Sequence, residues 1–200
     1  GGDDRIEIVG SGGNTIYAGL GADEVVVTGG GANTVFGGTG AGDRITVRGD
    51  GDNLVYGGSR EGDPTDGADA ISVEGNGANA VFANGGDDVV VLVGTGANTV
   101  YGGLGNDAIT GGTGADRIVA GPGANVVTGG AGADRFVFTA GGQDVVTDFR
   151  FAEGDRIELG GQPYSVTQTR DGNAAILVGD SGVIVLQGVT PASVAADWFA

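Results

Sequence analysis

The side chains of this sequence that can do chemistry are mostly carboxylates, and they recur at a regular spacing. An Asp or Asn ends a unit of nine to ten residues that repeats about thirteen times between Gly1 and Val137. The best copies, at residues 102–107, 111–116 and 129–134, read Gly-Gly-x-Gly-x-Asp and are followed by an aliphatic residue. Calcium prefers oxygen ligands from carboxylates and backbone carbonyls, and tight glycine turns expose such carbonyls. The repeat therefore predicts a series of calcium sites.

Units that end in Asp alternate with units that end in Asn along most of the repeat. Stacked carboxylates without counter-ions would repel one another, so we assign several calcium ions to the Asp positions. Stacked Asn amides can instead hydrogen-bond their own turns, and for them we favour that role. The candidate metal ligands are Asp4, Asp23, Asp43, Asp69, Asp88, Asp107, Asp116 and Asp134, together with the turn glycines Gly102, Gly105, Gly111, Gly114, Gly129 and Gly132.

The residues between the turns predict the elements that position these side chains. Apolar residues alternate after each turn, as at Ile6 and Ile8 or Val25 and Val27, which is the period of a half-buried strand. Two units make one coil of 18–20 residues, so we predict an all-β fold, a parallel β-roll solenoid with two short strands per coil. About seven coils at the usual strand spacing would make a rod about 30 Å long. Successive units fall on opposite edges of this rod.

The repeat pattern ends near residue 140, and short strand-like segments separated by turns follow it. We interpret them as an antiparallel β cap that covers the last coil. The predicted domains are a calcium-binding parallel β-roll at residues 1–139 and a C-terminal β cap with a secretion signal at residues 140–200. An insertion near residues 58–66 lengthens one turn. It is interpreted as a solvated surface loop, with an additional ion site as the alternative.

The composition excludes several functions. The net charge of −17 repels nucleic acid and anionic membrane, so we expect neither as a partner. The chain has no His and no Cys, which rules out a zinc HExxH site, a Ser-His-Asp triad and a Cys–His pair. We expect no enzymatic activity; paired-carboxylate glycosidase chemistry is the alternative that stays formally open. No apolar run is long enough to span a membrane, and the lack of Cys suits an extracellular protein.

An aromatic residue follows the inward aliphatic residue on successive Asn-type strands. Two interpretations stay open. The rings form a stack that stabilises the roll, or they form an exposed ladder for sugar rings or a partner protein, as in an adhesion, S-layer or polysaccharide-binding module. The residues of this aromatic column are Tyr17, Phe36, Tyr56, Phe82 and Tyr101.

Taken together, the repeats resemble those of the RTX (repeats-in-toxin) haemolysin-type calcium-binding family. Residues 136–159 resemble the module that follows the repeats in that family, and residues 183–200 are similar to the C-terminal signals of type I secretion substrates. The resemblance covers essentially the whole chain. This sequence departs from the family pattern in two ways: it has Asn on alternate turns, and it has an extra residue before Asp43.

The resemblance implies a β-roll that folds on calcium outside the cell, after export with the C-terminus first. It implies that the sixth-position Asp and nearby backbone carbonyls bind the ion. The chain would then be the C-terminal folding and secretion module of a larger exported bacterial protein. Its partners would be calcium ions and the type I secretion machinery, and its location would be secreted or on the cell surface.

Overall fold

The chain folds almost entirely into short β-strands in the computed structural model, which describes residues 1–139 and 141–200. No helix within those ranges approaches the length and apolarity that crossing a membrane requires. The helical segments there are three short 3-10 turns, at Phe151–Glu153, Pro191–Ser193 and Ala196–Trp198. The strands are β1 (Arg5–Val9), β2 (Thr15–Leu20), β3 (Glu24–Thr28), β4 (Thr34–Thr39), β5 (Arg44–Arg48), β6 (Leu54–Gly58), β7 (Ala70–Glu74), β8 (Ala80–Gly85), β9 (Val89–Val93), β10 (Thr99–Leu104), β11 (Ala108–Thr110), β12 (Arg117–Val119), β13 (Val126–Thr128), β14 (Arg135–Val137), β15 (Gln143–Val146), β16 (Arg156–Glu158), β17 (Tyr164–Gln168), β18 (Ala174–Val178) and β19 (Gly182–Leu186).

These strands form two parallel sheets that are wound from one continuous chain. The odd-numbered strands from β1 to β15 pair in order in the first sheet, and the even-numbered strands from β2 to β16 pair in order in the second. Each coil gives one strand to each sheet, and the second sheet has eight strands, so the roll has about eight coils. The predicted parallel β-roll with two short strands per coil is confirmed, whereas the predicted number of about seven coils is one too low.

A thin row of aliphatic side chains fills the space between the two sheets. Strand β3 buries Val25 and Val27 completely, and Val35 of β4 meets them from the opposite sheet. Parallel pairing aligns equivalent residues, as Val25 with Ile45, so that like side chains stack from coil to coil. The outward positions alternate with the buried ones, which follows from the period of two in the strand, and they carry polar residues on some strands and aliphatic or aromatic residues on others. The stacked core holds each turn at a fixed distance from the turn of the next coil.

The C-terminal end of the roll is closed by antiparallel strands, as the sequence predicts. Strand β17 pairs with β18 and β18 with β19, both antiparallel, while β19 pairs in parallel with β15 of the last coil. This arrangement covers the edge that β15 would otherwise expose. Parallel pairing also continues past residue 139, because β15 and β16 form one more coil. The predicted boundary falls at Ala140, which lies outside the described residues.

The last residues of the chain pack back onto this end of the molecule. Trp198 is buried, with its ring 5.0 Å from that of Phe149 and 5.5 Å from that of Phe151. The backbone N–H of Ala200 donates a hydrogen bond to the carbonyl of Ile157 in strand β16. Aromatic residues thus replace the aliphatic row where the roll meets its cap, and Trp198 anchors the otherwise largely exposed segment at residues 195–200 to the core.

Candidate metal centre

The structure brings the turn-ending residues together in two columns, one along each edge of the roll. Each of these residues lies at or next to the start of a strand, so the parallel register of the strands stacks it on its equivalent in the next coil. The alternation of the units predicts this distribution between the edges. The first column contains Asp4, Asp23, Asp43, Asp69, Asp88, Asp107, Asn125 and Asp144, and the second contains Asn14, Asn33, Asn53, Asn79, Asn98, Asp116, Asp134 and Asp155.

One side-chain oxygen of each residue builds a ladder along its column. The backbone N–H of Asp23 donates to Oδ1 of Asp43 at 2.7 Å, and the N–H of Asp69 donates to Oδ1 of Asp88 at 2.7 Å. The Asn column repeats the pattern, since the N–H of Asn33 donates to Oδ1 of Asn53 at 3.0 Å. This bond satisfies a backbone donor at the start of each strand, a group that is costly to bury without a partner. Asp and Asn perform this structural role equally well.

Asn and Asp differ in the second terminal atom of the side chain, which is Nδ2 in Asn and Oδ2 in Asp. Nδ2 of Asn33 donates to Oδ1 of Asn53 at 2.9 Å and to the carbonyl of Gly31 at 2.7 Å, so the Asn column satisfies itself. The Asp side chains have an oxygen at this place, and no donor in the described residues reaches it, although the atom is buried. A buried acceptor without a partner costs roughly 1–3 kcal/mol, and more when it is charged. The column atoms left in this state are Oδ2 of Asp23, Asp43, Asp69, Asp88, Asp107, Asp116 and Asp134.

Five of these seven free oxygens point into the space above the first glycine of their turn, and at the Asp23 and Asp88 turns Ala18 and Ala83 stand at that position. A Cβ built on Gly102 would lie 2.5 Å from Oδ2 of Asp107 and would also collide with the carbonyl oxygen of Ala120 in the next coil. A Cβ on Gly111 would lie 2.7 Å from Oδ2 of Asp116 and 2.6 Å from the carbonyl oxygen of Gly129. Glycine therefore clears a space where a carboxylate oxygen and a carbonyl oxygen of the adjacent coil converge. An all-oxygen donor set of this kind fits calcium.

The other predicted glycines serve the approach between coils. Gly105 has φ +127°, and a Cβ on it would collide with the carbonyl of Gly86 in the preceding coil. Gly114 and Gly132 meet the backbone of their preceding coils in the same way, whereas Gly129 faces its own turn's carboxylate, that of Asp134. Of the six glycines, the first of each turn thus borders the carboxylate oxygen, and the second lets the turns stack closely. Ligation by the carbonyl groups of these glycines stays a prediction.

Backbone carbonyls have to complete any ion site in the columns. Among residues 1–139 and 141–200, no three His, Cys, Asp or Glu side chains come close enough to hold a metal ion together. Each ladder position supplies one carboxylate at most, and the next ladder residue of the column is a coil away. Calcium takes six to eight oxygens. The glycine turns, whose carbonyls face the neighbouring coil, can supply the further oxygens.

Burial raises the pKa values of the column carboxyls far above the ordinary range for Asp. The pKa of Asp88 rises to about 8 and that of Asp116 to about 7, chiefly because burial disfavours the charged form, and also because neighbouring carboxylates repel it. The pKa values of Asp43, Asp107 and Asp134 rise to about 6 for the same first reason. The ladder bonds to backbone N–H groups act in the opposite direction and are outweighed. At neutral pH the carboxyls with a pKa of about 6 are mostly ionised, and a cation beside them would offset the cost of their buried charge.

Asp4 is different from the other predicted ligands. It belongs to the first coil, is exposed to solvent, and donates its backbone N–H to Oδ1 of Asp23 at 2.7 Å. Within this chain Asp4 has a neighbouring coil on one side only, so its carboxylate is exposed to water. The carboxylates of the other predicted ligands are buried and have no donor for Oδ2 in the part of the chain that the structure describes. The place of Asp4 in the column agrees with the sequence pattern, and its role as a ligand stays a prediction.

The insertion is a surface loop, as predicted, with most of its residues exposed, but two of its Asp side chains turn toward the roll. Asp63 is buried, and it accepts hydrogen bonds from the hydroxyls of Ser59 at 2.5 Å and Thr65 at 2.7 Å. These bonds lower the pKa of Asp63 to about 2. Asp66, from the same insertion, places its carboxyl beside that of Asp69, and its Oδ2 is buried without a hydrogen-bond partner in the described residues. The insertion therefore brings a second carboxylate to one turn of the first column.

The aromatic column is a continuous stack on the outer face of the second sheet. Neighbouring rings from Tyr17 to Tyr101 lie 4.7–4.9 Å apart and within 14° of parallel. Each inner ring therefore covers the faces of its neighbours and leaves mainly its edge to solvent. A sugar platform needs exposed ring faces, so this geometry favours the interpretation that the stack stabilises the roll.

Two ladder residues, Asp144 and Asp155, were not predicted. Oδ1 of Asp144 accepts from the N–H of Asn125 at 3.1 Å, and Oδ1 of Asp155 accepts from the N–H of Asp134 at 3.0 Å. The spacing was the available signal, because the two residues follow Asn125 and Asp134 by 19 and 21 residues. The other oxygen of Asp155 accepts from the N–H of Arg150 at 2.7 Å, so the second column ends on a satisfied carboxylate.

Two parallel sheets wound into coils, with Asp and Asn ladders along the edges, define a parallel β-roll solenoid. A family model described as the RTX calcium-binding nonapeptide repeat matches the chain in four copies, over residues 8–42, 90–118 and 110–146. The matched segments of the chain thus carry RTX calcium-binding repeats, and the resemblance of the repeats seen in the sequence is confirmed.

A solved structure resembles part of the chain. It is the solution structure of the AlgE6R3 subunit from the Azotobacter vinelandii mannuronan C5-epimerase, which is 24% identical and gives a TM-score of 0.44. The match covers 70% of this chain and 83% of that one. A search of curated protein sequences found no match.

Proposed function

We propose that this chain is a calcium-dependent β-roll that folds when calcium binds outside the cell, and that it serves as the C-terminal folding and secretion module of a larger exported bacterial protein. The observation that carries the first part is the set of buried Oδ2 atoms in the Asp columns, which have no hydrogen-bond donor in the described residues. A divalent cation in each turn would satisfy these atoms and offset their charge.

The electrostatics of the chain support a cation rather than a permanent proton. With a net charge of −17, the chain resists compaction, and its buried carboxyls hold protons only up to about pH 6 to 8. Above that range each empty turn carries an unneutralised charge in a thin core. Ions that bind only the folded state stabilise it by mass action. Calcium, which suits flexible sites made of carboxylate and carbonyl oxygens, matches these turns better than magnesium, which requires a smaller octahedral site.

The proposed location assumes that the turns bind calcium as weakly as other extracellular calcium modules do. Extracellular calcium modules bind with dissociation constants of about 10⁻⁴–10⁻³ M, so they are filled outside a cell and empty inside it. An empty roll would remain unfolded during export, and its C-terminal segment would be free. After folding, Trp198 is buried against Phe149 and Phe151. A secretion signal at this end would therefore be accessible before calcium binds and hidden afterwards.

We also infer that the chain has a structural rather than a catalytic role. Its many carboxylates stand in two repeating ladders, and neither His nor Cys occurs in the sequence. General acid and base pairs require two carboxyls in one asymmetric pocket, with different environments. Seven of the column carboxyls share one arrangement, with a buried Oδ2 that has no donor in the described residues, which supports a shared role in ion binding.

The test is a comparison of the chain in calcium-depleted buffer and in millimolar calcium, by far-ultraviolet circular dichroism and calcium-binding calorimetry. We expect a largely disordered chain without calcium at neutral pH and a cooperative gain of β-structure with it, and we expect magnesium to substitute poorly. A chain that shows its full β-signal in calcium-depleted buffer at pH 7.5, and that binds no calcium, would contradict the proposal.

A second candidate function, binding of a polysaccharide, is favoured by one feature of the surface. A groove of about 450 Å³ lies beside Phe82 and Tyr101, between the insertion and the turns of later coils. Asn84 lines this groove, is 5% exposed, and has no partner for its Nδ2 among the described residues. A glycan array with calcium present tests it: loss of binding in Tyr101→Ala but not in Tyr17→Ala, at the far end of the stack, would support this function.

A further inference from the structure

The insertion divides one turn of the first column into two halves. Gly57 and Gly58 form the first half, and residues 67–69 form the second, ending in Asp69. Without residues 59–66 this turn would match the complete turn at residues 111–116 at every position except the third, where that turn has Thr113. Eight residues therefore stand where an ordinary turn has one.

These eight residues are held in a defined conformation. The Asp63 carboxylate accepts from the hydroxyls of Ser59 and Thr65 and also from the Thr65 N–H at 3.1 Å. The N–H of Gly62 donates to Oδ1 of Asn84 at 2.8 Å, which ties the loop to strand β8 of the next coil. Asn84 has φ +80°, where the equivalent position of later turns is Gly103 or Gly121. The loop is thus preorganised by its own buried carboxylate and by the roll.

The loop delivers Asp66 to the turn. Oδ1 of Asp66 accepts from the N–H of Gly67 at 3.1 Å, while its Oδ2 is buried and no N–H or hydroxyl donor of the described residues reaches it. The Asp66 carboxyl is within hydrogen-bonding reach of the Asp69 carboxyl, so the two can share a proton or a cation. A Cβ on Gly58 would lie 2.7 Å from this Oδ2. A Cβ on the preceding residue, Gly57, would collide with Oδ2 of Asp69 and with the carbonyl oxygen of Ala83. Two carboxylate oxygens and a carbonyl oxygen therefore gather above two consecutive glycines.

Asp69 gives independent evidence that this space holds a ligand. It is 2% exposed, its Oδ1 is already bonded to the N–H of Asp43, and its Oδ2 has no donor among the described residues. Its column neighbours are Asp43 and Asp88, so no cationic side chain compensates it from within the ladder. The turns that end in Asp4 and Asp88 also carry a second Asp, but Asp3 and Asp87 are exposed. In this turn alone among those of the described residues, two carboxylates each have a buried oxygen without a donor.

We propose that Asp66 and Asp69 bind one divalent cation together, with calcium as the ion, in a composite site that the ordinary repeat turns lack. The inference rests on the proposed function, because it uses the same ion. Calcium affinity is tuned by the number of charged ligands and by the rigidity of the site. A second carboxylate on a preorganised loop makes this the tightest ion site of the roll, and therefore the first that fills as calcium rises.

The test compares the calcium-binding isotherm of the whole chain with that of Asp66→Asn, using calorimetry, and counts bound ions by native mass spectrometry. The matched control is Glu61→Gln, which removes one charge from the same loop at an exposed position. We expect Asp66→Asn to lose the tightest binding step, with an affinity for that ion lower by about 10-fold or more. We expect Glu61→Gln to retain it.

A second variant keeps the inference testable if Asp66→Asn folds poorly. Replacing residues 59–66 by a single threonine makes this turn identical in sequence to residues 111–116 and keeps the Asp69 ladder. We expect this chain to fold in calcium, to bind its other ions, and to lack the tight step. If either variant binds its first ion as tightly as the Glu61→Gln control, the composite site is refuted while the proposed function stands. If the unaltered chain binds no calcium, both fail.

Discussion

Protons should replace calcium in holding the roll together, and this prediction tests the buried carboxylates directly. In calcium-depleted buffer we expect the chain to be unfolded at pH 8 and to fold as the pH is lowered toward 5. The folded pKa of Asp88 is about 8, that of Asp116 about 7, and those of Asp43, Asp107 and Asp134 about 6, all because of burial first. The unfolded value is about 3.9.

The sign and size of the effect follow from these values. A carboxyl whose pKa is higher in the folded state binds more protons there, so its stabilising effect is complete below about pH 4 and is lost as the pH rises through the folded pKa. Each proton taken up on folding changes stability by about 1.4 kcal/mol per pH unit. Neighbouring carboxyls in a column share protons, so a net uptake of about two to three gives about 3–4 kcal/mol per unit. That is a large part of the total stability of a typical domain, about 5–15 kcal/mol.

The assay is a pH titration of the calcium-free chain, followed by far-ultraviolet circular dichroism, with a midpoint expected near pH 6. Asp88→Asn is the informative variant, because Asn retains the ladder bond and mimics the protonated state. It should stabilise the calcium-free chain at pH 8 and weaken its calcium binding. A calcium-free chain whose stability rises with pH between 5 and 8 would refute the reasoning.

Three further predictions concern the ladder, the aromatic stack and the C-terminus. Asp116→Ala should weaken the calcium response more than Asn33→Ala, because both remove a ladder bond but only the first removes a free carboxylate oxygen; equal calcium isotherms would contradict this. Tyr56→Ala should lower the melting temperature of the calcium-loaded chain, since ring stacking contributes about 0.5–1.5 kcal/mol beyond area burial; unchanged melting with loss of glycan binding would identify the stack as a ligand surface. Deleting residues 195–200 should reduce export through a type I exporter while calcium binding remains, and should lower stability because Trp198 leaves the core; normal export of the shortened chain would count against the proposed signal.

The repeated part of the fold was predictable because its period sets its geometry. The spacing of 19 or 20 residues between Asp4, Asp23 and Asp43 defines one coil, and the alternation at Val25 and Val27 defines which side of the strand is buried. Those two facts fix the parallel pairing and the two edges. The prediction of an antiparallel cap succeeded because turn residues divide the last part of the chain into short strands.

The features that were missed depend on contacts that no period describes. Asp144 and Asp155 continue the ladder, but the Gly-Gly-x-Gly pattern that marks a turn is absent before them. The position of Asp66 depends on hydrogen bonds of Asp63 within the insertion and on Asn84 in a different coil. The free state of the Asp oxygens depends on burial from both sheets, which a sequence pattern gives only as a tendency.

The two terminal atoms of each ladder side chain have separate roles, so the choice between Asp and Asn can vary from coil to coil while the ladder stays the same. Oδ1 is common to Asp and Asn, and it accepts the hydrogen bond that joins adjacent coils. Asn125, for example, stands between Asp107 and Asp144 and forms both ladder bonds. The other atom differs between the two residues: in Asp it is a charged oxygen that can bind a cation, and in Asn it is an amide nitrogen that donates further hydrogen bonds. An Asp-to-Asn substitution at a ladder position should therefore remove one ion site and leave the backbone in place. The number and positions of the ion sites along such a roll can thus change one coil at a time, in evolution or by design.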